Sequence, residues 1–75
     1  MPELNKDSLY MAMDMTVAMA AETYAQRTGQ STESVLLDLL GSRTADMLYD
    51  SETSLWTAGP EYVADEFANE LKAKG

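Results

Sequence analysis

Three internal glycines, Gly29, Gly41 and Gly59, divide this sequence into segments, and the apolar residues of every segment recur at the spacing of a helix. No segment shows the sustained alternation of apolar and polar residues that marks a half-buried strand. A chain of 75 residues is long enough for one domain only. We therefore predict a single helical domain over residues 1–75. Its predicted fold is all-α, a small bundle of three to four helices with short connections.

The predicted helices span about residues 6–28, 32–40, 43–49 and 60–73. Asn5 and Ser31 suit the N-cap positions of the first and second helices, and Pro60 suits the first turn of the last. The short third helix is the least defined by its sequence. Leu55 and Trp56 follow a polar turn, and we expect them to fold back onto the core.

The composition excludes several classes of function. Without cysteine there is no disulfide framework and no thiolate metal site. Without histidine there is no imidazole ligand and no Ser–His or Cys–His nucleophile pair. The sequence has no glycine-rich phosphate loop, and a bundle this small has little volume for a shielded cleft. We predict that the protein is not an enzyme and holds no cofactor, catalytic residue or dedicated metal site.

The charge and the apolar stretches exclude two classes of partner. The chain has 13 acidic and 5 basic side chains, a net charge of -8, whereas nucleic-acid binding needs clustered Lys and Arg. The most apolar stretch, Leu9 to Ala25, is interrupted by Asp14 and Glu22, so it predicts neither a membrane span nor a signal peptide. We expect a cytoplasmic protein that binds neither nucleic acid nor membranes.

The first predicted helix is apolar around much of its circumference. One stripe comprises Leu9, Met13, Val17, Ala20 and Tyr24. Met11, Met15 and Met19 form a second stripe on another side, which we call the methionine face. Such a helix is either central in its own bundle or buried against another chain. Because methionine adapts to varied partners and a small bundle offers little covering surface, we predict that the methionine face binds a partner.

The aromatic residues suggest a second candidate site. Tyr24, Tyr49, Trp56 and Tyr62 could together line a pocket with hydroxyl and indole donors. The alternative is that they lie at the edges of the core, with their polar tips in water.

Acidic residues cluster in two places. Asp46, Asp50 and Glu52 precede Trp56, but they lack the glycine and the ligand spacing of an EF-hand loop, so at most a weak site for a hard cation is indicated. Glu61, Asp65, Glu66 and Glu70 lie along the last helix as like-charge neighbours. They indicate either a solvated face or a surface for a cationic partner.

Several short motifs resemble those of an uncharacterised bacterial family. They are Glu22-Thr23-Tyr24-Ala25, Gly29, Ser31 to Val35, Met47-Leu48-Tyr49, Leu55 to Gly59 and Tyr62 to Glu66. The chain resembles the family known as domain of unknown function 3791 over about residues 12–72. Members carry a Glu-x-Tyr-Ala helix end, a serine-capped second helix and a Leu-His-Thr-Gln-Gly stretch before the last helix. This chain has Trp56 where that histidine stands, so any chemistry of the histidine is absent here.

The resemblance implies no activity, because none is established for the family. Genes of the family neighbour those of enzyme-like or toxin-like proteins, which implies a small accessory or antitoxin-like partner. Together with the residues themselves, this favours a small acidic, non-enzymatic module that binds another protein. Two alternatives remain, a self-associating structural bundle that forms a homodimer through the methionine face and a weak ligand- or metal-binding domain.

Overall fold

The computed structural model describes residues 6–50, 52–53 and 55–74, and side chains from Ser8 onward. The elements in chain order are α1 (Lys6–Thr28), α2 (Thr32–Leu40), α3 (Arg43–Leu48), a 3₁₀ turn (Leu55–Thr57) and α4 (Pro60–Lys74). No strand occurs among these residues, so the predicted small all-α bundle is confirmed. The predicted cap Asn5 lies outside the described residues.

The last two helices differ by one residue from their predicted ends. Helix α3 ends at Leu48, and Tyr49 is its C-cap, with its backbone N–H donating to the carbonyl of Ala45 at 2.9 Å. Helix α4 continues to Lys74. Helix ends fray, and differences of this size do not alter the arrangement of the bundle.

Local sequence signals account for the starts and stops of the helices. Ser31 caps α2 by accepting from the Ser34 N–H at 3.2 Å, and Ser42 caps α3 by accepting from the Ala45 N–H at 3.2 Å. Gly29 ends α1 in the left-handed region, with φ at 75°, which favours glycine because a Cβ would be strained there. The chain can then turn back so that α2 packs on α1.

One core joins all five elements, and α1 contributes more residues to it than any other element. The buried residues of α1 are Met13, Val17, Ala20, Ala21 and Ala25. Those of the other elements are Val35, Leu39, Ala45, Leu48, Leu55, Val63, Ala64 and Phe67. The small alanines on α1 let neighbouring helices approach closely. As expected, Leu55 is buried and Trp56 packs against the same core.

Helix α2 buries less of its apolar surface than its sequence indicates. The i, i+1, i+4, i+5 pattern predicts a stripe of Val35, Leu36, Leu39 and Leu40. The structure buries Val35 and Leu39 but leaves Leu40 exposed, together with Leu37. Leu36, the remaining residue of the predicted stripe, is partly buried and packs against the core, so Leu40 is the one member of the stripe that is exposed.

Polar contacts hold the other elements to α1 along its length. The Tyr49 hydroxyl donates to Asp14. Thr16 Oγ1 donates to the backbone carbonyl of Trp56 at 3.2 Å, and Arg27 pairs with Asp65 of α4 at 2.6 Å. These contacts lie on the side of α1 that faces the bundle and add to the packing of its buried residues.

Candidate interaction surface

The methionine face lies on the outside of the bundle. Met11 is 64% exposed, Met15 60% and Met19 50%. The prediction that these three side chains share one side of α1 agrees with helical geometry, because residues four apart differ by only about 40° around the axis. The bundle of described residues therefore does not enclose α1 on all sides.

Met13 shows how sharply the two sides of α1 differ. It lies between Met11 and Met15 in the sequence, yet it is 0% exposed. At 3.6 residues per turn, Met13 points roughly 160° away from Met15. The same residue type thus fills the core on one side and presents a thioether to solvent on the other.

Small and acidic residues flank the methionine face. Ala18 is exposed and lies one position before Met19. Asp14 and Glu22 are exposed, each three residues after a methionine of the face, so each neighbours it on the helix surface. The result is an apolar strip with carboxylates beside it, and such borders attract cationic groups at long range.

The four aromatic residues predicted to line a pocket do not come together. The Tyr24 ring meets Phe67 edge to face, with centroids 5.1 Å apart, and the Tyr49 ring lies 6.5 Å from that of Tyr10. Tyr62 is exposed at the start of α4. In the described part of the chain, no ring contact joins any two of the four. Tyr24, Tyr49 and Trp56 are partly buried and pack against the core, which agrees with the alternative interpretation that the aromatic residues lie at its edges.

Trp56 is half-buried and carries an unusual polar atom. Its indole Nε1 is buried and has no hydrogen-bond partner among the described residues. A buried donor without a partner costs free energy. Its ring packs against the core, so the burial of apolar surface offsets this cost.

The Tyr49 hydroxyl contacts α1 at Asp14, a residue that borders the methionine face. Burial, then the hydrogen bond to Asp14 and then the negative charge of Asp14 raise the pKa of Tyr49 to about 12. Each cause favours the neutral phenol over the phenolate. The hydroxyl is therefore a hydrogen-bond donor throughout the physiological range.

Glu70 of α4 holds the first turn of α3. Its carboxylate accepts from the backbone N–H of Arg43 at 3.0 Å and from the N–H and hydroxyl of Thr44 at 2.8 and 2.7 Å. Lys74 lies 3.5 Å away. Burial alone would raise the pKa of Glu70, but these donors outweigh it and lower the pKa to about 2. Glu70 is thus a structural carboxylate that joins two helices.

Of the other acidic residues, some make contacts within the protein and others are exposed. Asp65 is engaged with Arg27, whereas Glu61 is exposed. In the indicated cation site, Asp50 Oδ1 accepts from the Glu52 N–H at 3.0 Å, which makes a local turn. Within residues 8–50, 52–53 and 55–74, no three acidic side chains are grouped so that they could hold a metal ion.

An open groove of about 590 Å³ runs between α3 and α4. Its lining comprises Arg43, Thr44, Asp46, Met47, Glu66, Asn69, Glu70, Ala73 and Lys74. Charges of both signs line it, and the Glu70 carboxylate is already engaged with the first turn of α3. No residue of the methionine face or of the predicted aromatic pocket borders this groove, but three of the acidic residues singled out in the sequence do, namely Asp46, Glu66 and Glu70.

Two features were not predicted from the sequence. The role of Glu70 depends on a contact with residues 26 and 27 positions away, and a like-charge pattern gives no sign of it. The second feature is the exposure of Leu37 and Leu40, and the sequence did carry a sign of it. Two pairs of adjacent leucines spread apolar surface around too much of a short helix for one neighbouring helix to bury all of it.

No protein-family model, no curated protein and no solved structure matches this chain. The resemblance drawn from its short motifs therefore stays a prediction. Among the described residues, no helix is both long enough and apolar enough to cross a membrane.

Proposed function

We propose that the protein is a cytoplasmic, non-enzymatic interaction module that binds a basic protein through its methionine face. One observation carries the proposal: three methionines on one side of α1 are each at least half exposed, while the opposite side of the same helix is buried. Following the resemblance, the role would be that of an accessory or antitoxin-like partner.

The residue type supports binding to another protein. Methionine is unbranched and polarisable, so it fits partner surfaces of varied shape. It is also enriched at protein interfaces relative to other surface. Three methionines in consecutive turns supply a continuous apolar strip along about two turns of helix.

The charge supports a basic partner over a second copy. Two copies would each bring a net charge of -8, and these charges repel. A cationic protein meets the opposite field, and Asp14 and Glu22 beside the methionine face would contact its rim. Attraction of this kind raises the association rate most at low ionic strength.

A homodimer is the second candidate, and the spacing of the methionines favours it. The three residues are symmetric about Met15, so two antiparallel copies of α1 could place Met15 against Met15 and Met11 against Met19. Such a contact is self-complementary, as a twofold axis requires. It must overcome the repulsion between the two acidic chains.

Site-specific photocrosslinking distinguishes these candidates. We would place p-benzoylphenylalanine at Ala18, which is exposed beside the methionine face, and at Ala73 of α4 as a matched control. Both proteins would be irradiated in the native host at low and high salt. We expect the Ala18 probe to capture a protein of net positive charge, less of it at high salt, and the Ala73 probe not to capture it.

A substitution in the face completes the experiment. Met15→Asp should abolish capture from Ala18 while circular dichroism shows the same helix content. An adduct of twice the chain mass would instead establish the homodimer. Equal capture from Ala18 and Ala73, or capture that Met15→Asp does not change, would overturn the proposal.

A further inference from the structure

The residues of the methionine face are each at least half exposed, and the chain has no cysteine to react with oxidants in their place. We propose that Met11, Met15 and Met19 form a reversible oxidation site, at which peroxides produce methionine sulfoxides and thereby release the bound partner. The oxidation itself depends on the exposure of these residues alone. Its regulatory consequence rests on the proposed function.

The chemistry needs only a peroxide and an exposed thioether. A lone pair on sulfur attacks one peroxide oxygen, and a sulfur–oxygen bond forms as the oxygen–oxygen bond breaks. With hydrogen peroxide, the proton of the transferred oxygen goes to the departing hydroxide, which leaves as water. Sulfur loses two electrons and the peroxide gains them. Methionine sulfoxide reductases return the two electrons from thiols, one enzyme for each sulfoxide epimer.

Burial makes the site selective within the chain. The three residues of the face are 50% to 64% exposed, whereas Met13, in the same helix, is 0% exposed. A peroxide therefore reaches the face without entering the core. Because Met13 keeps its thioether, the packing of α1 against the other helices is retained.

Because the three methionines lie on one side of α1, their oxidation changes the polarity of one continuous surface. A sulfoxide is polar and chiral, and it disrupts methionine-rich interfaces. Met47, on α3, is 40% exposed but stands apart from the methionine face. Its oxidation would leave the apolar strip on α1 intact, so it serves as an internal reference.

Mapping the oxidised residues tests the first part of the proposal. The whole protein would be treated with dilute hydrogen peroxide and its peptides followed by mass spectrometry over time. We expect Met11, Met15 and Met19 to oxidise at least about tenfold faster than Met13, with unchanged helix content by circular dichroism. Equal rates at Met13, or loss of helix as the face oxidises, would contradict the proposal.

The photocrosslinking probe at Ala18 tests the regulatory part, because it leaves all three methionines in place. We expect peroxide to lower the captured partner at least about fivefold and the two reductases to restore it. A variant with Met11→Leu, Met15→Leu and Met19→Leu keeps the volume and the apolar character of the face. Its capture should survive peroxide, which excludes damage elsewhere in either protein.

The two proposals fail in different ways. No capture by the untreated protein would overturn the proposed function and the release of a partner with it, whatever the oxidation map shows. Capture that persists after the face is oxidised, or that falls equally in the leucine variant, would overturn the oxidation switch and leave the proposed function standing.

Discussion

The two sides of α1 have similar amino acids and opposite environments. Met13 and Val17 on one side are buried completely or almost completely, whereas Met11 and Met15 on the other side are more than half exposed. Hydrophobicity alone does not separate these sides, because both are apolar. The difference comes from where the shorter helices and the 3₁₀ turn pack.

The covered side of α1 is specified by particular contacts. Asp14, Thr16 and Arg27 each contact a residue from a different part of the bundle, and these polar contacts accompany the packing of the buried residues. The methionine face lies away from that arrangement. One helix thus combines a core side with an apolar side that the other described elements leave exposed.

The largest expected difference in stability is between aspartate substitutions on the two sides of α1. Met13→Asp buries a carboxylate in the core and should destabilise the fold by at least about 4 kcal/mol, which is as much as a domain of this size has. Met15→Asp should change the free energy of unfolding by less than about 0.5 kcal/mol. Urea unfolding followed by circular dichroism measures both. Similar losses at the two positions would show that Met15 belongs to the core.

Truncation of Trp56 tests the covered side of α1 through a residue of another element that packs against the shared core. Trp56→Ala should destabilise the fold by about 2–3 kcal/mol, less than a fully buried tryptophan, because the side chain is half-buried. Trp56→Phe keeps most of the packing and removes the unpartnered Nε1 donor, so its cost should stay below about 1 kcal/mol. Equal losses in the two variants on urea unfolding would mean that Nε1 has a partner in solution.

Helical spacing and capping residues were enough to predict the fold. Ser31 caps α2, Gly29 ends α1, and the predicted stripe of Met13, Val17 and Ala20 is the core side of that helix. These signals are local, because they depend on residues within one or two turns. Spacing also grouped Met11, Met15 and Met19 on one side, although it could not say whether that side was covered.

Contacts between distant residues could not be predicted in this way. Among the described residues, no ring contact joins Tyr24, Tyr49 and Tyr62, because they lie in or beside three different elements and residue type does not determine which elements meet. The engagement of Glu70 with Thr44 is a second example, since its pattern in the sequence is that of a solvated face. In both cases the outcome depends on packing geometry.

Glu70→Gln should weaken the attachment of α3 to α4 without changing the methionine face. Losing the carboxylate from the first turn of α3 should cost about 1–2 kcal/mol near neutral pH. Because the folded pKa, about 2, lies below the ordinary 4.5, this stabilisation is complete above pH 4.5. It is lost as the pH falls from 4.5 towards 2.

Urea unfolding across this acidic range measures the effect. The difference between wild type and Glu70→Gln should shrink as the pH falls. Glu66→Gln removes one charge from the same helix and should change the stability by less than about 0.5 kcal/mol. A pH-independent difference between wild type and Glu70→Gln would show that the carboxylate does not hold α3.

Tyr49→Phe should have the smallest effect, because it removes one hydroxyl and keeps the ring beside Tyr10. The lost hydrogen bond to Asp14 should cost about 1 kcal/mol. Since the folded pKa is raised to about 12, the hydroxyl stabilises the fold fully below its ordinary value of 10.0 and loses that effect as the pH rises towards 12. Urea unfolding through this alkaline range should therefore bring wild type and Tyr49→Phe together. If wild type and Tyr49→Phe differ by the same amount at every pH, the contact with Asp14 does not hold Tyr49 against α1, and the ring of Tyr49 is held there by its packing.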